Sequence, residues 1–228
     1  SVDAGKTHII YGNNSDSQSD IDLTNINSGE GTSIQGETPD DLMGYSVAGL
    51  GDINGDGIDD FIIGAPLDST INSKAGSAYV IFGNESFHSQ STLNVSEITN
   101  GFVIRGSQTN GYLGIVSAAG DINGDGFNDI LLAERGHDNN GNEDAGIAHV
   151  IFGQETITSS STFDLNSLNG NNGFSIYGTQ SYDKLGAGLS GAGDVNGDGF
   201  DDILIGAPQD SSNNDSGKAF LLFGDNFT

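Results

Sequence analysis

The 228 residues contain no cysteine, so neither disulfides nor thiolate metal sites can hold this chain together. Tryptophan is absent, and there are one methionine and three prolines. Positive charge is scarce: six Lys and Arg stand against 32 Asp and Glu, a formal net charge of −26. Nucleic acid and anionic membrane surfaces are recognised through basic faces, so neither is expected as a partner. No stretch approaches the ~18 apolar residues of a membrane span, so no membrane insertion is expected. No leader segment is visible either, and the first residues read as the middle of a repeat.

What is abundant is glycine, with 36 residues. Gly, Asn, Asp and Ser cluster between short aliphatic and aromatic runs. That texture belongs to many short strands joined by turns. A chain this acidic could be disordered, but the regular apolar runs argue for a packed core.

One nine-residue phrase occurs three times: Asp52-Ile-Asn54-Gly-Asp56-Gly57-Ile58-Asp-Asp60, Asp121-Ile-Asn123-Gly-Asp125-Gly126-Phe127-Asn-Asp129 and Asp194-Val-Asn196-Gly-Asp198-Gly199-Phe200-Asp-Asp202. Side-chain oxygens recur at positions 1, 3, 5 and 9. The glycine at position 6 allows a sharp turn that can aim the position 7 carbonyl inward. Hard cations take six to eight oxygen ligands, so the pattern predicts three Ca²⁺ sites. Their expected ligands are Asp52, Asn54, Asp56, Ile58 and Asp60; Asp121, Asn123, Asp125, Phe127 and Asp129; and Asp194, Asn196, Asp198, Phe200 and Asp202. EF-hands are excluded, because they need flanking helices and a glutamate at position 12, where this chain has Ile63, Leu132 and Ile205.

A second phrase ends in an aromatic residue and glycine: Tyr11-Gly12, Phe82-Gly83, Phe152-Gly153 and Phe223-Gly224. Its glycines lie 71, 70 and 71 residues apart, and the aspartate phrases lie 69 and 73 apart, so the repeating unit is about 70 residues. Each unit holds four strand-like runs. Short apolar runs bounded by turn residues suit strands buried on both faces. The fold class is therefore all-β, with four-stranded antiparallel sheets as the blades of a β-propeller. Three loop-bearing units (37–106, 107–178 and 179–228) follow the last strands of a preceding blade (1–36), thirteen strands in all. A smaller apolar triplet, Ile21, Leu23, Ile26, recurs as Leu93, Val95, Ile98 and Phe163, Leu165, Leu168. It reads as a segment tucked against a sheet.

These motifs resemble the FG-GAP repeats that build integrin α-subunit propellers. The family's elements stand as Met43-Gly44 with Gly64-Ala65-Pro66, as Leu113-Gly114, and as Leu185-Gly186 with Gly206-Ala207-Pro208. The resemblance covers almost the whole chain. It implies blades with Ca²⁺ between their first and second strands, and a bacterial, extracellular protein that is not an enzyme. The implied role is adhesion or protein interaction; the alternatives are carbohydrate binding or a non-catalytic propeller within a secreted enzyme. Its protein or glycan ligand is left open. Further blades of the same chain, or another chain, are expected to complete the ring.

The second unit departs from the pattern. It has Ala133-Glu134-Arg135 in place of Gly-Ala-Pro, and its first strand is one residue short. A one-residue change flips side-chain facing unless a bulge absorbs it. The histidines at 8 and 149 occupy the repeat position of Tyr79 and Phe220, so they read as strand residues. Arg135-Gly136-His137-Asp138 reads as a surface loop. Asn-x-Ser/Thr triplets begin at Asn13, Asn84, Asn94, Asn214 and Asn226, and a chain this rich in Asn and Ser contains them by chance.

Overall fold

A computed structural model describes residues 4–12, 20–159, 162–209 and 216–227; Asn13 and Asn214 lie outside them. The described residues form fifteen strands and three short 3₁₀ turns. First come β1 (Lys6–Ile10) and β2 (Gly31–Gln35). Next are β3 (Ser46–Gly51), β4 (Asp60–Ala65), β5 (Ser77–Ile81), β6 (Thr92–Asn94) and β7 (Gly101–Arg105). They are followed by β8 (Leu113–Gly120), β9 (Asp129–Glu134), β10 (Ile147–Ile151), β11 (Thr162–Phe163) and β12 (Gly173–Tyr177). Last are β13 (Gly188–Gly193), β14 (Asp202–Ala207) and β15 (Lys218–Leu222).

The strands form four blade-like sheets, in the orders β1-β2-β6, β11-β7-β5-β4-β3, β12-β10-β9-β8 and β13-β14-β15. Among the described residues these sheets do not close into a ring. Within each sheet the runs β1-β2, β3-β4-β5-β7, β8-β9-β10-β12 and β13-β14-β15 pair antiparallel, as expected. The two strands beyond the expected thirteen are β6 and β11. Each leaves its own unit and adds in parallel to the outer edge of the preceding sheet, β6 on β2 and β11 on β7. Phe163 carries its ring to 5.8 Å from that of Phe102, and Leu165 and Leu168 pack on the same core. The second and third apolar triplets thus pack against a core as expected, whereas Leu23 of the first is exposed. Three residues carry no information about which sheet they join.

Alternation along β9 shows why its central run, Ile130 to Ala133, is apolar. Ile130 and Leu132 face a core shared with Ile62, Val80 and Phe102 of the second sheet. Leu131 and Ala133 face the opposite core, shared with Ile203 and Ile205 of the fourth. Every residue of β9 and β10 is buried. A sheet covered on both faces has no polar side to show, hence the continuous hydrophobic runs.

Neighbouring sheets are also riveted through their backbones. Gly5 bridges Met43, Gly76 bridges Leu113 and Gly146 bridges Leu185, each in parallel sense. The bridged residue is the buried apolar member of each Met-Gly or Leu-Gly pair. The contact needs glycine: at Gly76 φ is +83°, and a Cβ would lie 2.1 Å from the carbonyl oxygen of Leu113.

The short first strand of the second unit is absorbed as a bulge. Pairing of β8 with β9 slips between Leu113 and Ile115, after which Val116 meets Leu132 as Val47 meets Ile63. Side-chain facing is preserved beyond that point.

Gly76→Ala is expected to destabilise the chain by about 3 kcal/mol or more, through steric conflict added to a left-handed backbone. Gly57→Ala, at φ +85° but with nothing within 4 Å of the new Cβ, is expected to cost only about 1–2 kcal/mol. Urea midpoints of the two variants measure the difference.

Candidate functional site

Each aspartate phrase forms the hairpin loop between the first and second strands of its sheet. The position 1 carboxylate sits inside the curl and accepts the loop's own amides. Asp52 Oδ1 accepts Gly55 N at 2.7 Å and Asp56 N at 3.2 Å, and its Oδ2 accepts Gly57 N at 2.9 Å. Asp121 does the same with Gly124, Asp125 and Gly126, and Asp194 with Gly197, Asp198 and Gly199. These backbone bonds, the one from Gly199 first, hold the Asp194 carboxyl below the usual aspartate range.

Positions 3, 5 and 7 complete the network. Asn54 accepts Asp56 N at 2.9 Å while its amide donates to Asp56 Oδ2 at 3.1 Å, and Asp56 Oδ1 accepts Ile58 N at 2.9 Å. Asn123, Asp125 and Phe127 repeat this arrangement, as do Asn196, Asp198 and Phe200.

Position 9 does something different. Asp60, Asp129 and Asp202 are buried. One oxygen of each accepts the position 2 amide (Ile53, Ile122, Val195) at 2.8–3.0 Å. The other accepts the amide of Gly83, Gly153 or Gly224 at 2.9–3.0 Å. Those glycines end the aromatic-glycine phrases, so each aspartate ties its loop to the strand two places along the sheet. Burial raises the Asp60 carboxyl to about 6 and the Asp129 carboxyl to about 7, against the opposing pull of their backbone bonds.

The loops also lean on one another. Asp201 Oδ2 accepts Asp121 N at 2.9 Å, and Gln154 N donates to the carbonyl of Ile53 at 3.0 Å. The Phe127 ring lies where a Cβ on Gly55 would be, and Phe200 does the same at Gly124.

This geometry overturns the expectation of three Ca²⁺ sites. Among the described residues no group of three or more His, Cys, Asp or Glu side chains is placed to hold a metal ion. The physical reason lies in the bonds above. Oxygens at positions 1, 3, 5 and 9 are directed at N–H groups, whose dipoles supply the positive field expected of a cation. The residues do not fit a calcium centre, and a metal-binding description of the chain falls with it.

The opposite end of the sheets carries a feature that the repeat pattern hides. In the segment entering each unit, two non-glycine residues adopt left-handed conformations: Asp40 and Leu42, Asn110 and Tyr112, Tyr182 and Lys184. Such residues are rare outside special turns. Near this end lies a buried group that strand alternation alone could not assemble. Glu134 is fully buried, and its carboxylate lies 3.6 Å from Nε2 of buried His149. His137 shares the same cavity. Glu134 was visible in the sequence only as a departure from Gly-Ala-Pro.

Asp129→Ala is expected to strand the buried amides of Ile122 and Gly153 and cost about 2–4 kcal/mol. Asp125→Ala, whose amide partners are solvent-exposed, should cost less than about 1 kcal/mol. Chemical denaturation of both variants checks the contrast. The raised carboxyls at 60 and 129 also set a sign for pH. The folded chain binds more protons than the unfolded one between their ordinary range and about 7. Stability should therefore fall as pH rises from 4 to 7 and level off above that. Asp129→Asn should flatten the slope in a melting-temperature series.

The FG-GAP repeat family matches residues 43–81, 113–151 and 186–222, together just over half of the chain. Each match begins at the riveting Met or Leu, or at the glycine after it, and spans the first three strands of a sheet. Integrin alpha-V of Gallus gallus is 33% identical over 177 residues, covering 74% of this chain and 14% of that protein. Integrin alpha-5 of Xenopus laevis is 28% identical over 174 residues, covering 74% and 14%. Integrin alpha pat-2 of Caenorhabditis briggsae is 27% identical over 186 residues, covering 81% and 14%. The chain thus spans about a seventh of these relatives. Among the described residues no helix is long and apolar enough to cross a membrane. Three copies in one register, each framed by the same rivet and the same aspartate tie, place this chain in the FG-GAP repeat family.

Proposed function

We propose that the chain is an extracellular adhesion or protein-interaction module whose four sheets are successive blades of a β-propeller. The blades correspond to residues 1–36, 37–106, 107–178 and 179–228, with β6 and β11 each lent to the blade before. The aspartate loops serve as internally bonded hairpin staples at one end. The opposite end, where the segments entering each unit cluster, is the recognition face.

The observation that carries this reading is the repeated pair of left-handed residues at that face. Strained backbone persists where the surrounding structure over-determines it, and such places are enriched in function. Here it presents large side chains to solvent: Leu42, Tyr45 and Tyr182 are exposed, and Arg135 lies over the Tyr112 ring at 5.6 Å. Loops on a rigid sheet scaffold are the usual carriers of binding, and exposed tyrosine is favoured at interfaces. The integrin α relatives support adhesion as the purpose and an extracellular setting.

The open faces support further blades, from this chain or another. On the open face of the fourth sheet Leu204, Leu221 and Phe223 are exposed, whereas Ile62 and Leu131, the counterparts of Leu204, are fully buried between sheets. Blades bury such faces against a neighbour.

Beads coated with the chain should adhere to animal cell monolayers. Tyr112→Ser with Tyr182→Ser should reduce adhesion severalfold, while Asp125→Ala leaves it unchanged. Protease treatment of the cells should abolish binding and glycosidase treatment should spare it. The reverse pattern would make the ligand a glycan, and adhesion indifferent to both tyrosines would remove the proposed face.

A further inference from the structure

Two repeat-equivalent cavities, each about 360 Å³, lie against the outer strands of the second and third sheets. In each, one wall is strand and the other is the segment that leaves to join the preceding sheet. Their chemistry differs, and the difference can be followed along one rung of hydrogen-bonded partners. In the second sheet the rung reads Ala65–Ser77–Arg105. In the third it reads Glu134–Ile147–Tyr177.

The second sheet satisfies its charge internally. Arg105 Nη1 meets Asp68 Oδ2 at 3.1 Å and Ser77 Oγ at 3.2 Å, and the Tyr79 hydroxyl donates to Asp68 at 3.4 Å. In the third sheet every member of that group is replaced. Asp68 becomes His137, Tyr79 becomes His149, Arg105 becomes Tyr177, and a carboxylate enters at 134. Glu134 is fully buried, and among the described residues its carboxylate accepts only long bonds from Ser107, 3.3 Å from its amide and 3.3 Å from its hydroxyl. His149 is 4% exposed; its Nδ1 pairs with Ser175 Oγ at 2.8 Å, while its Nε2 has no hydrogen-bond partner among the described residues. Nδ1 of His137 likewise has none. The next cation in sequence, Arg135, is turned onto Tyr112. The rung has therefore gained a buried acid and lost its guanidinium.

We propose that this cavity binds an organic cation, an ammonium or guanidinium head that takes the role Arg105 plays in the second sheet. Glu134 supplies the counter-charge, and Ser175 and His149 supply polar contacts. Tyr177, which lines the same cavity, supplies an aromatic ring of the kind that attracts cations. The carboxylate of Glu134 has His149 Nε2 at 3.6 Å, beyond hydrogen-bond reach, and a charged guest with several donors relieves the cost of burying it. The chain's net charge of −26 disfavours anionic guests. A metal ion is not the guest, since the three side chains are not gathered to ligate one. This site goes beyond the adhesion reading and does not depend on it.

Titration with methylguanidinium, spermidine and a blocked Gly-Arg-Gly peptide, followed by amide and imidazole NMR shifts, tests the proposal. Saturable shifts are expected at Glu134, His149 and Ser175, with methyl glucoside and acetate inert. Tightest binding by spermidine would identify a free polyamine as the source, and by the peptide a basic side chain. Glu134→Ala, which installs the residue found at 65 and 207 and so should fold, should weaken binding by about tenfold or more. Tyr177→Arg, which restores the built-in cation, should block it while raising thermal stability. Shifts confined to the aspartate loops, equal binding by Glu134→Ala, or a His149 imidazole that stays protonated above neutral pH as the acid's own partner would each overturn the proposal.

Discussion

The buried aspartate at the end of each loop is the contact on which the rest of a sheet depends. It is a two-sided acceptor in a place without water. One oxygen holds the start of the hairpin, and the other holds the glycine that ends the third strand. Removing either partner would leave a buried polar group unpaired, which costs more than the bond itself contributes. The aspartate and aromatic-glycine phrases recur in step because one carboxylate joins them. With loop and third strand fixed, the strands between have only one register available, and their alternation then feeds two cores at once.

Much of this was legible in the residues. Period, two-sided burial and the hairpin position of the loops follow from local patterns, because turns and alternation are local physics; the strand count does not, since the expected four strands per unit became sheets of three to five. The partner of the position 9 aspartate was not legible, since Asp129 and Gly153 lie 24 residues apart and meet only in the folded sheet. The same oxygen spacing that suits a cation also suits a curl of backbone amides. Sequence alone does not say which way Asp52 points. The destination of the segment around Phe163 was hidden for a related reason: an apolar triplet records that it is buried, and the sheet that buries it belongs to another unit.

Departures from the repeat were the most informative residues. Glu134 and His149 look unremarkable singly, one a misfit in a tripeptide and the other a strand residue among aromatics. Set beside their second-sheet counterparts, they become a buried acid that has lost the guanidinium found at the equivalent position. Internal repetition served as a control, because Arg105 shows what an equivalent position looks like when its electrostatics are closed.

The parallel edge strands carry a consequence for how such a chain is divided. β6 and β11 are encoded in one unit and fold into the sheet before it. The segment that repeats in sequence is therefore out of phase with the segment that folds. A duplication or excision cut at the sequence boundary would strip the outermost strand from the preceding sheet and leave a foreign edge in its place. Shuffling sheets intact requires a cut displaced to the far side of that short strand, so the boundaries suited to inheritance and those suited to engineering differ by the length of one latch.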